Sequence, residues 1–167
     1  MPIVLVLAVL ASVAEGQAAF HRGDLAAAER ELARAAADRA GSAEVETYLG
    51  LIRLRQGRAA EALSHLERAA TLPARDARAR VYLGAALARL GHDDAQLRAL
   101  ADAIALTPDS GLARHELGLA LARAGREREA LAELERAAAS ADAEAPWLYD
   151  YALNLHRSQR LPEAARV

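Results

Sequence analysis

The sequence predicts an all-α fold, a right-handed superhelical solenoid of antiparallel helix pairs. The first observation behind this is composition: Ala and Leu, both strong helix formers, supply 45 and 27 of the 167 residues. The second is scarcity of large residues, with one Phe and one Trp in the chain. One thick core would be hard to fill with such residues, whereas thin layers of helices packed through alanine suit them. The third observation is a repeated pattern.

Several columns of identical residues recur every 34 positions, which indicates a repeated structural unit. The Leu-Gly pair recurs at 49–50, 83–84 and 117–118. A glycine column comprises Gly23, Gly57, Gly91 and Gly125. A leucine column comprises Leu32, Leu66, Leu100 and Leu134. Two alanine columns comprise Ala35, Ala69, Ala103 and Ala137, and Ala28, Ala62, Ala130 and Ala164, the latter interrupted by Gln96.

Each column has a physical explanation within a unit of two helices, here called the A helix and the B helix. A glycine after about 14 helical residues suits a left-handed residue that ends the A helix. Small residues let the two helices approach closely, so we expect Ala69, Ala103 and Ala137 to be nearly buried. The expected helix pairs are 43–56 with 59–72, 77–90 with 93–106, and 111–124 with 127–140. Asp76, Asp109 or Ser110 can cap A helices, and Pro73 and Pro108 fall between repeats.

Numbered from residues 9, 43, 77, 111 and 145, most repeats have Leu at position 7, small residues at 8, 20 and 27, and Gly at 15. Position 7 is instead Glu15 in repeat one and Tyr151 in repeat five. With a Pro near position 32, this pattern resembles the tetratricopeptide repeat. The resemblance implies one solenoid over residues 1–167, with repeats at 9–42, 43–76, 77–110, 111–144 and a partial repeat at 145–167. The chain departs from the family at position 4, where the usual Trp is Glu46, Arg80 or Arg114, and in repeat five, where Gln159 replaces the turn glycine. A period of 34 rather than 35 disfavours the pentatricopeptide repeat, a related helix pair that reads single-stranded RNA.

Both ends of the chain leave alternatives open. The first 14 residues are apolar all round and too short to span a bilayer. They can form the first half of a buried helix, or a signal peptide with small residues near its cleavage site. Repeat five stops at Val167, before its position-24 and position-27 columns. We therefore expect the natural chain to continue, and residues 145–167 to exchange amide hydrogens fastest among repeats two to five.

The sequence contains no motif that predicts chemistry. It has no phosphate-binding glycine loop and no nucleophile elbow, and His115-Glu116 is followed by Leu119 where a zinc protease needs a second His. The chain has no Cys and a formal net charge of −2. We therefore expect no enzyme activity, metal, cofactor or small-molecule substrate, and neither a nucleic acid nor a membrane as partner. All 21 basic residues are Arg, a bias typical of GC-rich bacterial coding sequences. We expect a cytoplasmic rather than an exported protein.

The resemblance implies that the A helices line a concave groove that binds a protein or a peptide. Carried over by repeat position, the expected groove residues are Tyr48, Leu51, Arg55, Arg78, Tyr82, Arg89, His115, Arg123, Tyr149 and Arg157. Position 13 is Arg in four successive repeats, which suggests a basic ladder for an extended acidic peptide. An Arg in the last turn of a helix can equally complement the helix dipole and cap its carbonyls. For Tyr48 and Tyr82, a role in packing and a role in partner binding are both open alternatives.

Two functions of different kinds follow. The first is a non-catalytic scaffold that binds a peptide or protein partner in the concave groove. The alternative is an assembly or oligomerisation module that acts through the ends of the solenoid.

Overall fold

The computed structural model describes residues 3–38, 42–72, 77–164 and 166–167, and every regular element in those ranges is a helix. The helices are α1 Ile3–His21, α2 Leu25–Asp38, α3 Ala43–Arg55, α4 Ala59–Thr71, α5 Arg78–Arg89, α6 Asp93–Leu106, α7 Gly111–Arg123, α8 Glu127–Ala138, α9 Ala145–Arg157 and α10 Leu161–Ala164. The three helix pairs expected from the repeat are confirmed, and each boundary lies within two residues of its predicted place. Odd-numbered helices are the A helices of the repeats, and even-numbered helices are the B helices.

The helices belong to two compact units. The first unit, Met1–Ala74, contains α1 to α4, and its core includes Phe20, Leu32 and Ile52. The second unit, Arg75–Val167, contains α5 to α10, and its core includes Val81 and Leu100. In both units most buried side chains are Ala, Leu and Val, as the composition predicts.

Within a repeat, the A and B helices meet where the position-8 glycine faces the position-24 leucine. A Cβ added to Gly50 would lie 2.6 Å from Cγ of Leu66, and one added to Gly118 would lie 2.7 Å from Cγ of Leu134. Both leucines are fully buried. The Leu-Gly columns therefore record a close approach between two helices that leaves no room for a methyl group.

The turns between A and B helices share one backbone geometry. The position-15 glycines are all left-handed, with φ of 83° at Gly23, 76° at Gly57, and 75° at Gly91 and Gly125. In repeat five the same place is taken by Gln159, with φ of 59°. The next residue closes this turn too, since the Arg160 amide donates to the Leu155 carbonyl at 2.9 Å. The fifth repeat therefore keeps the turn without its glycine.

Serines cap two of the A helices. The Ser110 hydroxyl accepts from the Ala113 amide at 3.2 Å, as the sequence suggested, and the Ser42 hydroxyl accepts from the Val45 amide at 3.1 Å. Pro73 and Asp76 lie outside the described residues. Within the described residues of α1, Val9 is buried while Leu10 is half exposed, and the described helices include none long and apolar enough to cross a bilayer.

Candidate functional site

The surface formed by the A helices of a unit is here called its A-helix face. In the first unit, expected groove residues on this face contact other residues of the same unit. Arg55, an expected groove residue, places its guanidinium 3.9 Å from the centre of the Phe20 ring. The same guanidinium donates to the Phe20 carbonyl at 3.1 Å. This Arg thus caps a carbonyl in the last turn of α1, the preceding A helix, rather than one of its own helix.

Tyr48 and Leu51 also pack within the first unit. Both are half-buried against its core, and the Tyr48 ring stands edge-on to the ring of Phe20 with centroids 5.4 Å apart. The Tyr48 hydroxyl lies 3.4 Å from Nε2 of His21, which occupies position 13 of repeat one. Tyr48 and Leu51 thus contribute to packing in the first unit, and a binding role for them stays a prediction.

In the second unit, Arg89 takes part in an interaction, whereas Arg123 and Arg157 have no side-chain partner among the residues that the structure describes. Arg123 ends α7 and Arg157 ends α9, and both side chains are exposed. Neither guanidinium hydrogen-bonds or pairs with any residue that the structure describes. The difference from Arg55 has a local cause. The residue one repeat before Arg157 that matches Phe20 is Ala122, which offers no aromatic ring.

His115 was expected to line the groove, but only 6% of the residue is exposed. Its ring stacks on Trp147, with centroids 5.2 Å apart and planes 16° from parallel. Its Nε2 lies 2.9 Å from Oδ2 of Asp150, while its buried Nδ1 has no hydrogen-bond partner among the described residues. His115 is therefore a packing residue that joins α7 to α9 and holds Asp150 in place.

The other expected groove residues of the second unit differ in exposure. Arg78 and Arg89 on α5 are exposed and Tyr82 is half-buried, and each takes part in polar or aromatic interactions. Tyr149 on α9 is 67% exposed, an unusual state for a large aromatic side chain. The second unit thus brings Tyr149 to the surface of the same helix that ends in Arg157.

Sequence reasoning missed a set of ion pairs that fill the place of the family's position-4 tryptophan. In repeat four, Arg114 on α7 donates to Glu133 on α8 at 2.7 Å. In repeat two the polarity is reversed: Glu46 on α3 pairs with His65 at 2.7 Å and with Arg68 at 2.9 Å. A partial signal was present, since Glu46 and Arg114 each have a residue of complementary charge 19 positions later, whereas Arg80 has Ala99 there.

Two carboxyl groups of the first unit, those of Glu29 on α2 and Glu46 on α3, have lowered pKa values. The hydrogen bond from Arg53 lowers the pKa of Glu29 to about 2, against the effect of partial burial. Burial opposes ionisation of Glu46 too, but hydrogen bonds from Arg68 and His65 lower its pKa below the ordinary value. Both carboxylates link helices and stay charged at neutral pH, so they stabilise the helix pairs and are not candidate acids or bases.

The described residues contain no group of three or more His, Asp or Glu side chains that could hold a metal ion. A depression with a volume of about 290 Å³ lies among α6, α7 and α8. Its apolar lining includes Leu97, Leu117 and Leu121. Three charged residues line it: Arg126 and Glu129 pair with each other at 2.7 Å, and Glu133 pairs with Arg114 at 2.7 Å.

Solved structures of tetratricopeptide-repeat proteins share this fold. TTC0263, a thermophilic TPR protein of Thermus thermophilus, is 23% identical over 94% of this chain and 86% of that chain, with a TM-score of 0.82. PilF of Pseudomonas aeruginosa is 18% identical over 97% and 74%, with a TM-score of 0.86. YrrB, described as a TPR protein with an unusual peptide-binding site, is 19% identical over 92% and 79%, with a TM-score of 0.67.

A scan against protein-family models finds no match, and a sequence comparison with curated proteins finds none either. The helix pairs, the left-handed turns and the structural likeness nevertheless agree. This chain has an all-α fold of the tetratricopeptide-repeat type.

Proposed function

We propose that this chain is a non-catalytic scaffold that binds a peptide or protein segment on the A-helix face of its second unit. The observation that carries the proposal is the pair Arg123 and Arg157. Both are exposed at the same repeat position of neighbouring A helices, and neither has a partner among the described residues. Arg55, at the same position in the first unit, is bound to Phe20.

A free guanidinium is well suited to binding a partner. It presents several donors in a planar fork that matches a carboxylate, and such charge-assisted bonds are about twice as strong as neutral ones. Tyr149 adds an exposed aromatic surface on α9. Tyr and Arg are the residue types most often found to dominate binding energy in protein interfaces. The combination favours a segment that carries at least one carboxylate together with an apolar side chain.

The fold class supports the same proposal. One structural neighbour, YrrB, is described as having a peptide-binding site. That property belongs to YrrB, and at 19% identity the likeness extends to the fold alone. What we carry over is the prediction that an exposed A-helix face is where a segment binds.

The test is a library of displayed peptides, selected on the purified full chain and then measured individually for affinity. Arg123→Gln with Arg157→Gln should weaken the selected peptides by about tenfold or more, since two charge-assisted contacts are removed. The melting temperature should change little, because neither Arg has a partner among the residues that the structure describes. The matched control is Arg98→Gln with Arg128→Gln, which removes two exposed arginines from B helices and should preserve affinity. Equal affinities for wild type and the Arg123/Arg157 variant would contradict the proposal.

The alternative of an assembly module is favoured by one observation, the 67% exposure of Tyr149. An exposed aromatic residue can be the anchor of a self-contact as readily as of a peptide contact. Sedimentation of the full chain separates the two functions. A concentration-dependent dimer that Tyr149→Ser returns to a monomer would support assembly, and a monomer at all concentrations would remove it.

A further inference from the structure

The A helices α7 and α9 present three kinds of side chain in a fixed order along their length. At repeat position 6 they carry Glu116 and Asp150, and at position 13 they carry Arg123 and Arg157. Seven residues separate the acid from the Arg on each helix. That spacing is about two turns, so the two charges share one side of the helix about 10.5 Å apart.

Leucine lies between the two charges. Position 9 is Leu119 in α7 and Leu153 in α9, and both side chains are half-buried, so part of each apolar surface remains accessible. Position 9 is three residues after the acid and four before the Arg, on the same side of the helix. Along each helix, the order of these side chains from the first turn to the last is therefore acid, leucine, arginine.

The contact between α7 and α9 places the two helices side by side. His115 at position 5 of α7 meets Asp150 at position 6 of α9 at 2.9 Å, and its ring stacks on Trp147 of α9. These contacts join the two helices at repeat positions 3 to 6, and the repeat implies that later equivalent positions follow alongside each other, so that like residues form bands across both helices. We define the banded face as an acidic band of Glu116 and Asp150, an apolar band of Leu119 and Leu153, and a basic band of Arg123 and Arg157.

The charges of the banded face are accessible to a partner. The Glu116 side chain is 35% exposed, and its closest basic group is His115 Nδ1, 3.9 Å away. The Asp150 side chain is 29% exposed while bonded to His115. The third A helix of this unit lacks the pattern, since α5 has Tyr82 at position 6. The bands are therefore a local property of repeats four and five.

We propose that the banded face binds an amphipathic α-helix that has an apolar stripe, an acidic edge and a basic edge. The helix lies across α7 and α9, with its acidic edge on the basic band and its basic edge on the acidic band. This inference rests on the proposed function and specifies the partner's chemistry.

The spacing of the bands favours a helix over an extended segment. The outer bands are about 10.5 Å apart, and a helix with its side chains is about 10–12 Å across. An amphipathic helix presents a broad apolar stripe with charged residues on both sides of it. An extended strand directs alternate side chains toward one surface along a single line, so it meets each band at one point only, whereas a helix lying across α7 and α9 follows all three bands along its length.

The probes are three synthetic helical peptides that share the same apolar stripe. The first has Glu on one edge and Lys on the other. The second has the same composition with Glu and Lys mixed on both edges, and the third has Glu on both edges. Affinities are measured by fluorescence anisotropy with the full chain. We expect the first peptide to bind about 5- to 10-fold more tightly than the second, because only the first matches both charged bands.

Two variants locate the effect. Glu116→Arg makes both charged bands of α7 basic, so it should abolish the preference for the first peptide and strengthen binding of the third. The control is Asp102→Arg, an equal change of charge at an exposed position on the B helix α6, which should preserve the preference. Exchanging the two edges of the peptide is not a useful test, since a helix turned end for end exchanges its own edges.

The inference is overturned if the first and second peptides bind equally, if the first does not bind measurably, or if Glu116→Arg leaves the preference intact. Its failure can be told apart from failure of the proposed function. If the third peptide binds most tightly and loses affinity in the Arg123→Gln, Arg157→Gln variant, the scaffold function stands and the banded partner is wrong. If that variant binds every peptide as wild type does, both proposals fail.

Discussion

At position 27 of each repeat, an alanine is enclosed on every side. Ala69 is 1% exposed, and Ala103 and Ala137 are 0% exposed, which confirms the burial expected from the column. The sequence could predict this because the constraint is steric and recurs in every repeat. A residue that must be small in every copy produces a column that is visible without any structure.

Ala103→Leu should overpack the core of the second unit and lower its free energy of unfolding by about 1–3 kcal/mol, since the three added carbons have no space to occupy. Denaturant unfolding followed by circular dichroism measures the change. Ala101→Leu on the same helix is the control, because Ala101 is exposed and the larger side chain can extend into solvent. If both variants were as stable as wild type, the position-27 contact would not be close-packed.

The arginines at position 13 mark the limit of prediction for single residues. Their column is as regular as the alanine column, but Arg55 is held by Phe20 while Arg157 has no partner in the described part of the chain. The ring that contacts Arg55 belongs to Phe20, at position 12 of the preceding repeat, a neighbour in space rather than in sequence. A column of identical residues therefore predicted where the arginines lie and not whether they are available to a partner.

Glu29→Gln should make stability less dependent on pH in the acidic range. The hydrogen bond from Arg53 lowers the pKa of folded Glu29 to about 2 from an ordinary 4.5. Its contribution is therefore complete above about pH 5 and is lost as the pH falls from 4.5 towards 2. The variant should be less stable than wild type at pH 7, with a difference that shrinks steadily below pH 4.5. Thermal melts across pH 2–7 measure this difference, with Glu31→Gln on the same helix as control. A stability difference between wild type and Glu29→Gln that did not change with pH would show that the pair with Arg53 does not act through ionisation.

At the scale of helices and turns, the sequence was a reliable guide. Helix ends are set by local chemistry, so the left-handed glycines located the ends of α3, α5 and α7 within one residue of their predicted places. The contacts between helices were less predictable. The pair of Arg114 with Glu133 and the stacking of His115 on Trp147 depend on which side chains meet across helices. A departure from the family at position 4 gave no indication, taken alone, that an ion pair replaces the tryptophan.

Gln159→Gly should stabilise the turn between α9 and α10. A residue with a Cβ is strained at the φ of 59° found here, whereas the four preceding repeats use glycine in this place. Relief of strain is partly offset by the greater entropy of glycine in the unfolded chain, so the net gain should be about 0.5–1 kcal/mol. Hydrogen exchange of the α9 amides should slow in the variant, and Gly125→Gln should produce the opposite change in α7. Faster exchange in the Gln159→Gly variant would mean that the glutamine side chain stabilises the turn.

At the scale of the whole molecule, chains with low sequence identity share this fold class. The three structural neighbours share only 18–23% of residues with this chain, yet their TM-scores reach 0.86. Small residues at helix contacts and left-handed residues at turns suffice to specify repeated helix pairs. One continuous solenoid over residues 1–167 stays a prediction. The structure describes two compact units, and the partner-binding surface proposed above lies wholly in the second.

The partner's chemistry is what the repeat pattern could not supply. Columns record what every repeat has in common, whereas the banded face depends on residues that differ between repeats, such as Glu116 and Asp150 in place of Tyr82. Such residues leave no periodic signal. Their significance becomes visible only when the contact between α7 and α9 is known.

The most direct test of the account is site-specific photo-crosslinking of the full chain to a peptide selected from the displayed library. A photoreactive phenylalanine analogue is placed at Tyr149 on the A-helix face, or at Arg128 on the opposite B-helix face. Because both positions are exposed, the replacements should leave the fold intact. The account predicts a covalent adduct from position 149 and none from position 128. An adduct from position 128 alone, or equal adducts from both positions, would contradict it.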